Sequence, residues 1–467
     1  MRVRHFFFIN VFMLFVYRAP AQQASLTPEQ ELARSIFQEL IQTNTVHSTG
    51  NTTTAAEAMA LRLKAAGFSQ QDIQITGPRE RNRNLVVRLH GTGKRAPILF
   101  LSHLDVVEAR REDWTMDPFT LTEKDGYFYG RGTMDIKDGA AILVADFIIL
   151  KKQGYVPDRD LILALTAGEE SGGDYNGVAW LLQNKRSLID AAFCINMDAG
   201  DPQLKNGKRL NRTVQASEKG VLDLALEVKN PGGHSSLPSK DNAIYRLAGG
   251  LTRMEVYDFP VQLNEVTRSY FSAMSAFETG QLSEDMKAVA ANSSDAEVIN
   301  RLSQSAYYNA LLRTTCVATM LQAGHAVNAL PQSAKAIVNC RVMPGSTQNE
   351  IKDAIQRVLK DTQVQVSVLS ALKKNPSSPL SAEIMETVTA VTAKLWPGVP
   401  VLPVMEVGAT DGIFLRSSGI PTYGVSGVFI DEDDNRAHGK DERIGVRDFY
   451  EGLRYEYELI RAFSTAK

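Results

Sequence analysis

The amino-acid sequence predicts an α/β fold, in which a ferredoxin-like β-α-β-β-α-β domain is inserted into a larger domain built on a mostly parallel sheet. In the first part of the chain, short apolar runs without alternation are separated by helical stretches, which is typical of strands buried on both faces of a parallel sheet. Near position 217 the pattern changes to alternating apolar and polar residues, and the predicted elements follow the order β-α-β-β-α-β. The length of 467 residues also exceeds that of one compact unit, so two domains are expected.

The first predicted element is a helix over 25–66, with Thr27 as its N-cap, Pro28 at its first position and Gly67 at its end. Buried strands are predicted at 84–89, 97–101, 161–167 and 191–197, with helices at 139–153 and 177–183. These elements form the first part of the larger domain, over 22–215.

The inserted domain is predicted to span 216–372. Its first strand, 221–229, alternates apolar and polar residues, which indicates a sheet with one solvated face. The remaining predicted elements are a helix at 243–253, a polar helix-prone stretch over 259–309, strands at 313–321 and 335–343, a helix at 348–360 and a strand at 363–369. The larger domain resumes over 373–467, with a helix at 382–395, a strand near 422–425 and a last helix over 446–462.

The composition is that of a globular protein, with 44% hydrophobic and 22% charged residues. It excludes a disordered chain, a collagen and a disulfide-rich mini-protein. The formal net charge of −2 argues against a nucleic-acid-binding protein, because such proteins normally need a basic face to neutralise phosphates.

Residues 1–21 are predicted to be a signal peptide. Arg2 and Arg4 precede an apolar run over 6–17, and a cleavage site follows at Ala19-Pro20-Ala21. A membrane anchor is the alternative, but the run is shorter than the ~20 residues that span a bilayer. We therefore expect an exported protein, periplasmic or secreted, with no stable membrane anchor.

The chain has three cysteines, Cys194, Cys316 and Cys340. An odd number excludes a full disulfide framework. Cys316 and Cys340 could face each other on neighbouring strands, but the favoured interpretation is that all three are small buried hydrophobic residues.

Polar side chains with metal-binding chemistry occur in five short segments where a predicted strand meets a loop. The segments are Ser102-His103-Leu104-Asp105, the glycine-rich turn 130–139 around Asp135, 167–173 with Glu169 and Glu170, 196–200 with Asp198, and Ala437-His438-Gly439-Lys440-Asp441-Glu442. In open α/β sheets, sites form at that end of the strands. Each segment alone has an ordinary explanation, such as a hydrogen-bonded histidine or a solvated acidic turn. A phosphate-binding loop at 130–139 is rejected, because the glycine spacing fits neither nucleotide fingerprint.

Taken together, the five segments predict a two-metal hydrolytic site. Glu169 and Glu170 are adjacent carboxylates at the end of an apolar strand, which is costly unless a cation neutralises them. His103 and His438 are two of the seven histidines in the chain, and both fall in these segments. Imidazole and carboxylate ligands without cysteine suit zinc, with cobalt or manganese as substitutes.

From Glu57 to the C-terminus the chain resembles the dinuclear zinc metallopeptidases of family 20. The resembling segments are Ser102-His103-Leu104-Asp105-Val106-Val107, Trp114 with Pro118-Phe119, the turn 130–139, Gly168-Glu169-Glu170-Ser171-Gly172, Gly232-Gly233-His234-Ser235-Ser236, Val327-Asn328-Ala329-Leu330-Pro331 and Thr410-Asp411. They occur in the order and spacing of that family, which includes aminoacylase, carboxypeptidase S, glutamate carboxypeptidase and succinyl-diaminopimelate desuccinylase. Two segments resemble most closely the carboxypeptidase S and N-acyl amino acid hydrolase branch of the family. They are the stretch 259–309 and Ser217-Glu218-Lys219-Gly220, at the start of the inserted domain.

The resemblance implies a role for each polar side chain of the site. Asp135 bridges two Zn²⁺ ions, followed in the chain by a cis peptide bond. His103 and Asp198 complete one metal position, and Glu170 and His438 complete the other. Asp105 orients His103, and Glu169 is the general base.

The resemblance also assigns the inserted domain as a lid or dimerisation domain with three functional residues. His234 stabilises the oxyanion, from the same chain or from the other subunit of a homodimer, while Asn328 and Arg341 bind substrate. The implied reaction is hydrolysis of an N-acyl amino acid or short peptide with a free carboxylate. The alternatives are a dipeptidase or desuccinylase-type deacylase on the same core, and a non-catalytic binding protein.

Overall fold

The computed structural model describes residues 25–171 and 173–465. The predicted signal peptide, 1–21, lies outside these residues. Within them, no helix combines the length and apolar character needed to cross a membrane.

The described residues form fourteen α-helices, one short 3₁₀-helix and nineteen β-strands. The helices, α1 to α14 in chain order, are Pro28–Gln42, Thr52–Ala65, Lys137–Lys152, Gly177–Asn184, Arg186–Ile189, Ala243–Glu255, Glu265–Met274, Gly280–Ala290, Ala296–Ser303, Ala306–Leu312, Gln348–Leu359, Ala382–Leu395, Gly412–Ser417 and Val446–Ser464, and the 3₁₀-helix is Arg111–Asp113. The strands, β1 to β19, are Ile73–Arg79, Asn82–Leu89, Ile98–His103, Thr122–Lys124, Tyr127–Tyr129, Leu161–Thr166, Phe193–Asn196, Gln203–Lys205, Lys208–Glu218, Gly220–Lys229, Gly233–His234, Thr315–Ala323, Ala329–Leu330, Ser333–Val342, Gln365–Ser370, Val401–Glu406, Thr422–Gly424, Ile430–Asp431 and Arg443–Gly445.

The large sheet confirms the predicted α/β fold. It has ten strands in the order β1-β2-β6-β3-β7-β17-β9-β8-β18, with β16 paired to β9. The central strands β6, β3, β7 and β17 are parallel to one another. Their carboxyl ends therefore meet at one edge of the sheet, where sites form in such folds.

Both faces of the central strands are buried, which explains their continuous apolar sequence. On β3, Ile98 and Phe100 join the core that contains residues of α1, α2, α3 and α14. Leu99 and Leu101 join a second core on the other face, with residues of α4, α5 and α13. Successive side chains of a strand point to opposite faces, so both sets must be apolar.

A smaller antiparallel sheet has the strand order β12-β14-β10-β15. One face of it packs against α6 and α11, with Leu222, Leu224 and Leu226 of β10 in the shared core. The order β10-α6-β12-β14-α11-β15 confirms the ferredoxin-like arrangement.

The four helices α7 to α10 lie between α6 and β12 in the chain, but their apolar residues belong to a different core. Val266, Phe271, Leu302 and Leu312 pack in the core of the large sheet. The boundaries 216 and 372 stay a prediction, and the helical stretch within them is anchored to the larger sheet.

The predicted helix over 25–66 is wrong in its continuity, because it is two helices. The first ends at the extended C-cap Thr43, and the second begins after Asn51, whose side chain accepts a hydrogen bond from the Thr54 amide. Between them Val46 forms a parallel bridge with Val106, which the helical pattern could not reveal. The predicted N-cap Thr27 is confirmed, with a reciprocal Gln30 contact.

The cysteines also differ from the favoured interpretation. Cys316 and Cys340 form a disulfide between the neighbouring strands β12 and β14, where the two residues are directly opposite. Cys194 is a free, buried cysteine, as expected.

Candidate metal centre

The ends of three parallel strands and two loops bring the predicted ligands together. His103 is the last residue of β3, Glu169 and Glu170 follow β6, and Asp198 follows β7. Asp135 lies in the turn that precedes α3, and His438 lies in the loop before β19.

The ligand atoms converge on Asp135. One carboxylate oxygen, Oδ1, lies 3.2 Å from Nε2 of His103, and the other, Oδ2, lies 2.9 Å from Nε2 of His438. His103 Nε2 is also 3.7 Å from Asp198 Oδ1, and His438 Nε2 is 2.7 Å from Glu170 Oε1. The five side chains thus form two groups of three that share Asp135, with the ligand atoms of each group within 4.8 Å of one another.

This arrangement fits two metal ions. Each group offers one imidazole nitrogen and two carboxylate oxygens, which is a suitable donor set for zinc and leaves a coordination position open. A third group consists of His103, Glu169 and Glu170, whose ligand atoms also lie within 4.8 Å of one another. Glu169 therefore lies close to one residue from each of the first two groups.

The charges within the cluster favour protonated imidazoles when no cation is bound. The carboxylates of Asp135 and Glu170 raise the pKa of His438 to about 10. Burial opposes protonation of His103, but the Asp198 and Asp135 carboxylates hold its pKa well above the usual range. A bound cation would take the place of these protons, so metal binding is expected to release protons.

Asp105 contributes to the site through its main chain and its side chain separately. Nδ1 of His103 donates to the backbone carbonyl oxygen of Asp105 over 2.9 Å, which leaves Nε2 facing the cluster. The Asp105 carboxylate instead accepts hydrogen bonds from the backbone amides of Gly168, Glu169 and Glu170, at 2.7, 3.3 and 2.9 Å. Asp105 therefore contacts both His103 and the turn that carries the paired glutamates.

Glu169 lies in an environment that favours its protonated form. Burial and the neighbouring Asp198 carboxylate raise the pKa of Glu169 well above its usual range. A carboxyl group with a raised pKa can both accept and return a proton near neutral pH, as general acid–base catalysis requires.

Glu442 is a residue of the site whose role is not predicted from the sequence. Its fully buried carboxylate accepts hydrogen bonds from the backbone amides of Gly132, Met134 and Asp135, at 3.1, 2.7 and 3.1 Å. It also pairs with Arg131. Arg131 in turn donates to the carbonyl oxygens of His438 and Gly439, so the pair ties the Asp135 turn to the His438 loop. Glu442 ends the predicted segment 437–442, but only the fold reveals these contacts.

A cavity of about 700 Å³ opens over the cluster. It is lined by Asp135, Glu169, Glu170, Asp198 and His438, and by Arg341 of β14 in the smaller sheet. A second cavity of about 520 Å³ shares Glu169, Val221 and Thr410 with it and continues between Tyr175, Ile413 and Phe414. Arg341 thus adds one cationic side chain to the first cavity, and Tyr175, Ile413 and Phe414 add apolar surface to the second.

His234 and Asn328 lie elsewhere in the described part of the chain. Both are exposed, and neither lines the two cavities. His234 on β11 pairs with Ala329 of β13, next to Asn328, and Ser236 contacts its Nδ1 atom. The structure therefore brings these two residues together with each other but not with the cluster of the same chain. The peptide bond between Asp135 and Ile136 is cis, as the sequence led us to expect.

The chain is similar to proteins of one enzyme family over most of its length. The sequence profile of peptidase family M20/M25/M40 matches residues 99–462. The human N-fatty-acyl-amino acid synthase/hydrolase PM20D1 is 31% identical over 379 residues, which cover 79% of this chain and 74% of that protein. A probable carboxypeptidase S-like protein 2 of Dictyostelium discoideum is 30% identical over 375 residues, which cover 78% and 71%.

Solved structures show the same fold. An M20 family metallo-carboxypeptidase from Sulfolobus solfataricus superimposes with a TM-score of 0.70 at 16% identity, covering 94% of this chain and 99% of that one. Human carnosine dipeptidase 1 superimposes with a TM-score of 0.64 at 14% identity, covering 93% and 96%.

Proposed function

The chain belongs to the M20/M25/M40 peptidase family and is a metal-dependent amidohydrolase, and from that premise we propose which bond it cleaves and how. The proposed reaction is hydrolysis of the amide bond in an N-acyl amino acid or short peptide that ends in a free carboxylate, by an exported enzyme. The observation that carries the proposal is the convergence of two imidazoles and two carboxylates on the Asp135 carboxylate, beside the cavity that Arg341 lines.

The proposed cofactor is a pair of Zn²⁺ ions per subunit, with Co²⁺ or Mn²⁺ as substitutes. His103, Asp135 and Asp198 would hold one ion, and Asp135, Glu170 and His438 would hold the other. When bound, the ions would supply Lewis-acid chemistry, lowering the pKa of a water molecule and polarising the substrate carbonyl.

Glu169 is proposed as the group that moves the proton. Its carboxylate would take a proton from the attacking water and hand the proton to the nitrogen of the departing amine. The position of Glu169 supports this role, because it lines the cavity over the cluster and one of its carboxylate oxygens lies within 4.8 Å of the ligand atoms of His103 and Glu170. Asp105 would keep Glu169 in place by accepting hydrogen bonds from the backbone of its turn.

Arg341 and the apolar cavity are proposed to bind the two ends of the substrate. The planar guanidinium of Arg341 suits a carboxylate, which it can bind in two places. The cavity between Tyr175, Ile413 and Phe414 offers apolar surface for an acyl group, and Glu169 lies where the two cavities meet. Several relatives are named N-fatty-acyl-amino acid synthase/hydrolases, which supports an acyl group of apolar character here.

His234 and Asn328 are proposed to act across a homodimer. Their exposure and their absence from the lining of both cavities support an approach to a second copy rather than to their own cluster. In that role His234 would stabilise the oxyanion and Asn328 would contact substrate.

The proposal is tested by measuring the amino acid released from N-acyl amino acids and dipeptides by the purified mature chain. The assay is run with added zinc, with a chelator, and with Glu169→Gln. We expect zinc-dependent turnover that chelation and the substitution abolish. Turnover that survives chelation, or no turnover of any substrate by a zinc-loaded chain, would refute the proposed reaction.

A further inference from the structure

Glu406 is a carboxylate in the wall of the cavity that the proposed mechanism does not use. It is the last residue of β16, where it lies opposite Glu218 of β9 in the parallel ladder. It lines the cavity together with Asp201 and Arg341. Because Glu406 belongs to a strand that pairs with β9, its side chain is carried by a rigid element rather than by a loop.

The carboxylates of the two neighbouring residues, Glu218 and Glu406, differ in their hydrogen bonds and ion pairs. Glu218 is fully buried and accepts hydrogen bonds from Gln215 and Thr410, and it forms an ion pair with Arg416 at 2.7 Å. Among residues 25–171 and 173–465, the carboxylate of Glu406 has no hydrogen bond or ion pair, and its backbone carbonyl alone accepts, from the Lys219 amide. Glu406 is half-buried, so water can supply only some of the hydrogen bonds that its carboxylate does not receive from the protein.

This environment makes the ionised form of Glu406 unfavourable in the free protein. Burial, with the carboxylates of Asp201 and Glu218 nearby, raises the pKa of Glu406 to about 7. A partly buried carboxylate without a partner costs free energy unless a cation compensates it. The smaller sheet supplies Arg341 to the cavity lining, but the charged groups that act on Glu406 are the carboxylates of Asp201 and Glu218.

We propose that Glu406 is a specificity-determining residue that binds a cationic group of the substrate, a protonated amine or a guanidinium. This inference rests on the proposed function, since it places the cation on a molecule whose carboxylate binds Arg341. The cation has two chemical sources. One source is the basic side chain of the amino acid that is released, as in lysine acylated on its α-nitrogen. The other source is the free α-amino group of a dipeptide.

Two matched substrate pairs distinguish these sources. N-acetyl-lysine and N-acetyl-norleucine differ in the side-chain ammonium, and alanyl-norleucine and N-propanoyl-norleucine differ in the α-amino group. The zinc-loaded mature chain is compared with Glu406→Gln, with Glu406→Asp, which keeps the charge, and with Glu57→Gln, a matched control on an exposed part of α2. Since a charged hydrogen bond is at stake, we expect one pair to show a preference of about 10-fold or more in kcat/KM for the cationic member.

In Glu406→Gln that preference should fall about 10-fold through a rise in KM, while Glu406→Asp keeps part of it and Glu57→Gln keeps all of it. The inference is overturned if Glu406→Gln turns over the neutral substrates and shows, for both pairs, the same preference for the cationic member as the native chain. That outcome leaves the proposed function intact. A direct measurement covers the case in which no substrate is turned over. Calorimetric binding of N-acetyl-lysine and alanyl-norleucine to the zinc-loaded Glu169→Gln chain, with and without Glu406→Gln, should show weaker binding of one ligand in the double variant. Equal binding of both ligands also overturns the inference.

Discussion

His103 is oriented by the main chain of Asp105, since its Nδ1 atom lies 2.9 Å from the Asp105 carbonyl oxygen. The carboxylate of Asp105 points instead to the backbone amides of the turn that carries Glu169 and Glu170. Asp105 therefore contacts not only His103, as predicted, but also the turn after β6, and it connects the end of β3 to that turn.

Asp105→Asn should separate these two contributions. The carbonyl contact to His103 survives the substitution, so zinc binding at the His103 position should be retained. The Asn side chain offers one oxygen and an NH₂ group, which cannot accept from the amides of the turn, so at least one buried amide loses its partner at about 1–3 kcal/mol. We expect lower stability and a lower kcat at nearly unchanged zinc content, measured by thermal unfolding, kinetics and metal analysis. Loss of zinc in step with activity would contradict this division.

Glu169→Gln should remove the proton acceptor without removing the metal ions. Glutamine has nearly the same shape but cannot take a proton, so kcat should fall by about 10²- to 10⁴-fold. Zinc content is measured on the same preparation, with the exposed Glu57→Gln as the matched control. A variant that keeps more than about a tenth of the native kcat would exclude Glu169 as the general base.

Glu442→Gln should weaken zinc binding without altering any of the five proposed ligands. The substitution removes the charge that compensates the buried Arg131 and removes an acceptor for the amides of the Asp135 turn. Partners of metal ligands typically contribute 10- to 100-fold to affinity, so we expect a loss of about that size in a calorimetric zinc titration of the metal-free chain.

Since an unpaired buried charge is also destabilising, the Glu442 titration needs a folded-state control. Circular dichroism at the titration temperature should show a native spectrum for the variant before zinc is added. A folded Glu442→Gln chain with native zinc affinity would show that the Glu442 contacts do not position Asp135 and His438.

The sequence predicted the elements that apolar residues determine, and it missed those that polar residues form. The apolar run 97–101 became β3, and the helix 382–395 has the predicted bounds. In contrast, no strand is predicted over β9, in which Arg212, Gln215 and Glu218 are all buried. Its Arg212 donates hydrogen bonds to the carbonyl oxygen of Gly200 and to the hydroxyl of Tyr455, which lie 12 and 243 positions away in the chain and are brought together only by the fold.

The candidate site follows the same division. Residues such as His103 and Asp198 are brought together because they follow parallel strands, and strand ends can be predicted from hydrophobic runs. Their catalytic roles stay predictions. Glu442 and Glu406 could not be found in this way, because a buried and a solvated glutamate are identical in sequence. Only tertiary contacts distinguish them.

Reduction of the Cys316–Cys340 disulfide should destabilise the smaller sheet. The bond joins residues 24 positions apart, and closing a loop of that size in the unfolded chain is worth about 3 kcal/mol in the chain-entropy description. We expect a reducing agent to lower the unfolding temperature of the native chain but not that of the Cys316→Ser/Cys340→Ser double variant. An equal effect of reduction on both chains would locate the cause elsewhere, since Cys194 is present in each.

Glu456 should make the stability of the protein fall as the pH rises towards about 8. This residue of α14 is fully buried, and in the described structure neither of its carboxylate oxygens has a hydrogen-bond partner. Burial raises its pKa to about 8, against the opposing charge of Arg212 from β9. Asp146 of α3 is also buried without a hydrogen bond to its carboxylate, and the charge of Glu456 raises the Asp146 pKa further.

The direction of the effect follows from the folded pKa of Glu456 being higher than the unfolded pKa of about 4.3. Below about pH 4.3 the Glu456 carboxyl is protonated in both the folded and the unfolded chain, so it does not reduce the free energy of unfolding. As the pH rises towards 8, the unfolded chain releases this proton while the folded chain keeps it, so the free energy of unfolding falls. The unfolding temperature should therefore fall from pH 5 to pH 9, and by at least about 2 °C less in Glu456→Gln, whose side chain stays neutral. Asp146→Asn should reduce the dependence in the same direction, whereas the exposed Glu57→Gln should follow the native chain. Parallel pH profiles for native protein and Glu456→Gln would mean that the carboxyl group ionises in the folded state without cost, and that solvent reaches the contact between α3 and α14.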